Sequence, residues 1–110
     1  CPIKDGKFIP DCGSICQLIT NSTGIHPTYF GKPEKNMIDY ISRLFDLDVS
    51  EIAIVGDRLY TDIALGKNSG CTSICLLTGE TSVEMIESSS IKPDYIFSSI
   101  KELFYELKNI

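Results

Sequence analysis

Apolar positions along this 110-residue chain recur with two different periods, and the alternation between them predicts its elements. Ile15, Leu18 and Ile19 share one face of a helix over Ser14 to Thr23, with Ser14 and Gln17 spaced as a capping box and Gly24 as the stop. Pro33 suits the first position of the next helix, where Met37, Ile38, Ile41, Leu44 and Phe45 form an apolar stripe. Ile52 to Val55 is short and continuously apolar, which predicts a strand covered on both faces as in parallel sheets.

The same alternation runs to the end of the chain. A helix over about Thr61 to Ser69 closes at Gly70, and a second apolar strand spans Ser73 to Leu77. Thr81 and Glu84 are spaced to cap a helix carrying Val83 and Ile86, and Ser88 to Ser90 reads as a linker. Tyr95-Ile96-Phe97 is a third short strand. Ser99 and Glu102 open a last helix with Ile100, Leu103, Phe104 and Leu107 at helical spacing. Strands alternating with helices of this length imply right-handed crossovers, hence an α/β fold with a parallel sheet and helices on its faces.

Composition narrows the function classes. Ten basic residues against fifteen acidic, net charge −5, leave no basic stripe for a nucleic-acid backbone. No apolar run approaches the ~20 residues of a membrane-spanning helix, and no leader segment is visible. Five cysteines are an odd number, too sparse for a secreted disulfide scaffold, and the expected compartment is the cytoplasm. Cys12/Cys16 and Cys71/Cys75 have a spacing zinc ligands can use, but buried thiols are the expectation for both pairs. His26, the one histidine, reads as a loop residue beside Pro27, and Asn21-Ser22-Thr23 as a helix end rather than a glycosylation acceptor.

Chemistry concentrates in Ile52-Ala-Ile-Val-Gly-Asp-Arg-Leu-Tyr-Thr-Asp62, where a strand delivers two carboxylates onto the following turn. Mg²⁺ takes oxygen ligands and favours one or two carboxylates completed by water and phosphate, a demand that Asp57 meets. Asp62, in the first turn of the next helix, can orient Asp57 or a metal-bound water. The plainer alternative makes Asp57 a helix cap and Asp62 an ordinary first-turn acid. Lys32, fixed between Gly31 and Pro33, supplies a cation that phosphate chemistry needs, against the alternative of a solvated loop lysine. Ligands of parallel sheets bind beyond the carboxyl ends of the strands, where Asp57, Asp62 and the Thr78-Gly79-Glu80 loop are expected to gather.

Gly31-Lys32-Pro33, a helix, then Val55-Gly-Asp-Arg-Leu-Tyr-Thr-Asp62 resembles the third and fourth motifs of haloacid dehalogenase superfamily phosphatases. Pro10-Asp-Cys-Gly-Ser14, Thr23-Gly24 and Leu76-Leu-Thr-Gly-Glu-Thr81 are similar to the NagD or p-nitrophenylphosphatase-like branch. The resemblance implies a Rossmann-like three-layer α/β/α core and a phosphate-monoester hydrolase acting through an aspartyl-phosphate. It also implies Mg²⁺ as cofactor, bound by Asp57 with support from Asp62, and Lys32 with Gly31 holding the phosphoryl group of a small phosphorylated metabolite. The Asp-x-Asp-Gly strand that opens such enzymes is absent: Asp5-Gly6 follows Pro2-Ile3-Lys4 rather than a buried strand. Residues 1–110 are therefore expected to be the carboxyl-terminal portion of the core domain, with 1–10 the end of a cap-to-core return. Alone it is expected to be inactive and to self-associate through the exposed sheet edge at Ile52 to Val55. Two other classes stand beside this one, a non-catalytic metal- or phosphate-binding α/β module and a receiver-like phosphoacceptor domain.

Overall fold

The computed structural model describes residues 3–109; Cys1 and Pro2, the start of the expected cap-return segment, lie outside them. Three strands, β1 (Ala53–Gly56), β2 (Thr72–Leu76) and β3 (Tyr95–Phe97), form one parallel sheet in that order. Ile54 is level with Ser73, and Cys75 with Ile96. Five α-helices accompany the sheet: α1 (Cys12–Thr23), α2 (Asn36–Phe45), α3 (Ala64–Ser69), α4 (Val83–Ser88) and α5 (Ile100–Lys108).

Two apolar clusters hold the sheet to its helices. Ile38 of α2, Ile52, Leu65 of α3 and Cys71 form one; Leu59, Ile63, Cys75 of β2 and Ile86 of α4 form the other. α3 lies so close to the sheet that a Cβ on Gly66 would stand 2.7 Å from the Ser73 Cβ. Successive strand side chains point to opposite faces, so Ile74 faces away from Ser73 and Cys75. There it lines a cavity with Tyr95, Phe97 and the Leu103 side of α5. Helices thus sit on both faces of the sheet, as the alternating pattern predicts.

Several local expectations are corrected. α1 begins at Cys12 with Asp11 as its N-cap, so Ser14 and Gln17 lie inside the helix, and the Gln17 amide donates to Asn21 at 2.7 Å. Pro33 is not the first residue of α2: the Lys32–Pro33 peptide is cis and lies in a turn closed by Glu34 N–H to the Gly31 carbonyl at 2.8 Å, with α2 starting at Asn36. α4 is capped by Ser82, whose hydroxyl accepts from Met85 N–H, because the Thr81 hydroxyl is drawn to the backbone of Asp57. Ser99 does cap α5, while the Glu102 carboxylate accepts from Ser98 N–H and hydroxyl. β1 is not covered on both faces, since Ala53 and Val55 on one face are exposed; among the described residues it pairs only with β2, which leaves one edge free. Cys71 and Cys75 are buried free thiols, and burial pushes both above the ordinary thiol range; Cys12 is exposed and Cys16 half-buried. Gly24 and Gly70 end their helices in the left-handed region, as expected.

The radius of gyration is 16.3 Å, against about 13 Å for a compact domain of this length. Among residues 3–30, Phe8, Ile15, Leu18, Ile19, Ile25 and Phe30 are all exposed.

Candidate active site

β1 ends at Gly56 and hands the chain to Asp57, Arg58 and a π-helical turn, Leu59–Ile63, that runs into α3. The wider turn is seen in Ile63 N–H donating to the Arg58 carbonyl at 3.1 Å, five residues back. Such single π turns recur at functional sites because they rotate side chains out of the α-helical register. Here the turn carries Asp62 inward, to 5 % exposure. A Cβ on Gly56 would meet the Asp62 Cβ at 2.3 Å, so only glycine permits the strand end and this carboxylate to approach so closely.

Asp62 is satisfied on both oxygens. Oδ1 accepts from Lys32 Nζ at 2.6 Å and Oδ2 from Arg58 N–H at 3.2 Å. A buried carboxylate needs such partners to remain charged, and the lysine ammonium, itself 46 % exposed, supplies the opposing charge. Residues 30 apart in sequence are thereby joined across the carboxyl edge of the sheet. Gly31 enters through the same turn, lining with Lys32 an open cleft of about 580 Å³.

Asp57 is held by the loop after β2. Its Oδ2 accepts from Glu80 N–H at 2.9 Å, and its carbonyl accepts from Thr81 N–H at 3.1 Å and from the Thr81 hydroxyl at 2.6 Å. A Cβ on Gly79 would stand 1.9 Å from Asp57 Oδ2, so that position too must lack a side chain. The Thr78-Gly79-Glu80 loop and Asp57 therefore do gather at the carboxyl edge. Above them Glu80 pairs with Arg58 at 2.8 Å and accepts from the Tyr60 hydroxyl at 3.2 Å, which pushes that phenol above its ordinary range. The clamping roles of Thr81, Glu80, Tyr60 and Arg58 are invisible to motif spacing, because they depend on two loops meeting in space. The glycines at 56 and 79, each beside a motif aspartate, are the signal that could have shown it.

The donor set suits a hard cation in part. Asp57 Oδ1 makes no hydrogen bond among the described residues, and the Thr61 hydroxyl is buried without a partner, so polar capacity is left over at this end of the sheet. Among the described residues no three His, Cys, Asp or Glu side chains converge to hold a metal by themselves. A cation at Asp57 would draw further ligands from water and phosphate, the usual habit of Mg²⁺. Asp62, with both oxygens engaged, is placed to brace Lys32 and the Arg58 backbone.

A family model for HAD-hydrolase-like proteins matches residues 29–103, spanning the Lys32 turn, both aspartates and the Glu80 loop. The chain belongs to this HAD-like family. Its relatives lie in the NagD and p-nitrophenylphosphatase branch, and membership sets aside the receiver-like alternative. An acid sugar phosphatase of Staphylococcus saprophyticus is 38 % identical over 96 % of this chain and 40 % of its own length. Phosphoglycolate phosphatase 1A of Arabidopsis thaliana is 41 % identical over 82 % of this chain and 25 % of its own. Among solved structures, a 4-nitrophenylphosphatase of Thermotoga maritima superposes with a TM-score of 0.80 at 48 % identity, covering 94 % of this chain and 40 % of that one. NagD of E. coli K-12 gives 0.78 at 35 % identity, over 87 % and 38 %. This HAD-like chain thus spans about two-fifths of the length of the acid sugar phosphatases it matches.

Proposed function

We propose that this HAD-like chain supplies the phosphate-binding lysine, the metal-binding Asp57 and the supporting Asp62 of a Mg²⁺-dependent phosphatase acting on small phosphate monoesters in the cytoplasm. The observation that carries this reading is the Lys32–Asp62 pair, 2.6 Å apart, beside Asp57 at the carboxyl edge of the sheet. The names of the acid sugar phosphatase, the phosphoglycolate phosphatase and the 4-nitrophenylphosphatase among its relatives support it. Mg²⁺, when bound, would neutralise charge on the transferring phosphoryl group. Asp57 would hold the ion through the oxygen left free by Glu80 N–H, and Lys32, steered by Asp62, would bind a phosphoryl oxygen with Gly31 beside it. Gly56 and Gly79 keep both carboxylates in place while the Arg58–Glu80–Tyr60 cluster ties the two loops together.

The attacking carboxylate of an aspartyl-phosphate route is not among these groups; Asp5 lies in an exposed turn. We therefore assign residues 1–110 to the carboxyl-terminal portion of a core domain, with 1–10 as a cap-to-core return. The test is Mg²⁺-dependent p-nitrophenyl phosphate hydrolysis by a longer protein containing this sequence. Asp57→Asn is expected to lower kcat at least 100-fold, in the range set by losing charge stabilisation of the transition state, while this chain alone turns nothing over. Full turnover by Asp57→Asn, or turnover by this chain that Asp57→Asn abolishes, overturns the reading.

The free edge of β1 has a consequence for the chain alone. Unpaired strand edges recruit partners, so sedimentation velocity is expected to show concentration-dependent association that Val55→Lys diminishes. A monomer at every concentration contradicts this.

A further inference from the structure

The cysteines nearest the amino terminus of α1 are unlike the buried pair Cys71 and Cys75. Cys12 and Cys16 are free thiols, one exposed and one half-buried, with their sulfurs 3.9 Å apart on one helix face. Both line the cleft that Tyr29, Gly31 and Lys32 close from the other side. Tyr29 approaches Cys16, and burial together with that thiol pushes its phenol above the ordinary range.

Two facts decide what such a pair can do. A disulfide needs the two Cβ atoms about 3.8 Å apart, whereas residues four apart on an intact helix hold theirs about 5–6 Å apart; bridging would require the first turn of α1 to unwind. Chelation requires no such movement. With metal–sulfur bonds of about 2.3 Å, two thiolates on a tetrahedral cation lie about 3.8 Å apart, close to the separation seen here.

We propose that Cys12 and Cys16 form a two-thiolate site for a thiophilic divalent cation of the zinc class, opening into the cleft. Binding releases the two thiol protons, and water or a small thiol completes the coordination, since no third such side chain converges on the pair among the described residues. The site stands apart from Asp57 and does not depend on the phosphatase reading.

The probe is Cd²⁺ alone, titrated into the 110-residue chain with its thiols kept reduced, and followed by the ultraviolet sulfur-to-cadmium charge-transfer band. One equivalent is expected to bind. Cys12→Ser and Cys16→Ser are each expected to weaken binding at least tenfold, with helical circular dichroism unchanged because neither side chain is fully buried. Asp57→Asn is expected to leave the titration unaltered, which keeps this result separate from that of the phosphatase assay. A band that survives in the double serine variant, a loss in only one single variant, or no band in fully reduced wild-type chain overturns the proposal.

Discussion

Leu18 and Leu65 are the same residue type, each in a segment that the sequence predicts to be helical, and they end in opposite environments. Leu65 is completely buried between Ile38, Ile52 and Cys71, whereas Leu18 on α1 is 67 % exposed. Ile15, Leu18 and Ile19 form a legible apolar face, yet all three are exposed, so periodicity reports which face seeks cover and not whether cover is present. α3 has a sheet beneath it, close enough that Gly66 touches Ser73. α1 has no such cover, and Thr20 is its single buried residue. An isolated helix of this length is marginal in water, so α1 depends on its caps and its own short-range hydrogen bonds.

Breaking the comparison at its strong end gives the largest effect. Leu65→Ala is expected to cost about 2–5 kcal/mol in urea unfolding, through lost burial and the cavity left between α3 and the sheet. A cost below 1 kcal/mol would mean that α3 is not the sheet's anchor.

A smaller effect is expected at the amino edge of the strands, away from the candidate active site. There Asp94 pairs with Lys67 and accepts from Ser73 N–H at 2.8 Å and the Ser73 hydroxyl at 2.6 Å. The Lys67 ammonium first, then Ser73, hold its carboxyl at about 2, below the usual carboxylate value of about 3.9. The folded state therefore favours the charged form. The stability this contributes is present above about pH 4 and is lost as pH falls through about 2. Asp94→Asn is expected to flatten the loss of stability across that acid window in thermal melts; an unchanged slope would show that the pair is screened out by solvent. Both partners are more than one-third exposed, so the effect at neutral pH is modest.

The smallest change is expected at the weak end. Leu18→Ser should alter unfolding of this chain by no more than about 0.5 kcal/mol, as for other surface substitutions. A cost matching that of Leu65→Ala would mean that α1 docks onto the sheet in solution.

The candidate site was legible in part. Asp57, Asp62, Lys32 and Gly31 stand out because a strand end, a turn and a fixed lysine put carboxylates and a cation where a parallel sheet binds ligands. Their partners were not legible. Thr81 reads as a helix cap by spacing, yet its hydroxyl goes to the Asp57 carbonyl, leaving Ser82 to cap α4. Pro33 reads as a helix start, yet it belongs to the turn that points Lys32 at Asp62. In each case a residue with two uses available locally was committed by a group from a distant segment.

The sequence alone determined the three strands, the helices before and between them, the Gly24 and Gly70 stops, and the end of the sheet at which charge collects. Those properties follow from period, capping and backbone freedom, which act over a few residues. Only the tertiary structure decided that Asp62 turns inward to Lys32, that Gly79 makes room for Asp57, and that Val55 and Leu18 stay uncovered. Burial and ion pairing depend on which surfaces meet, and no local pattern carries that information.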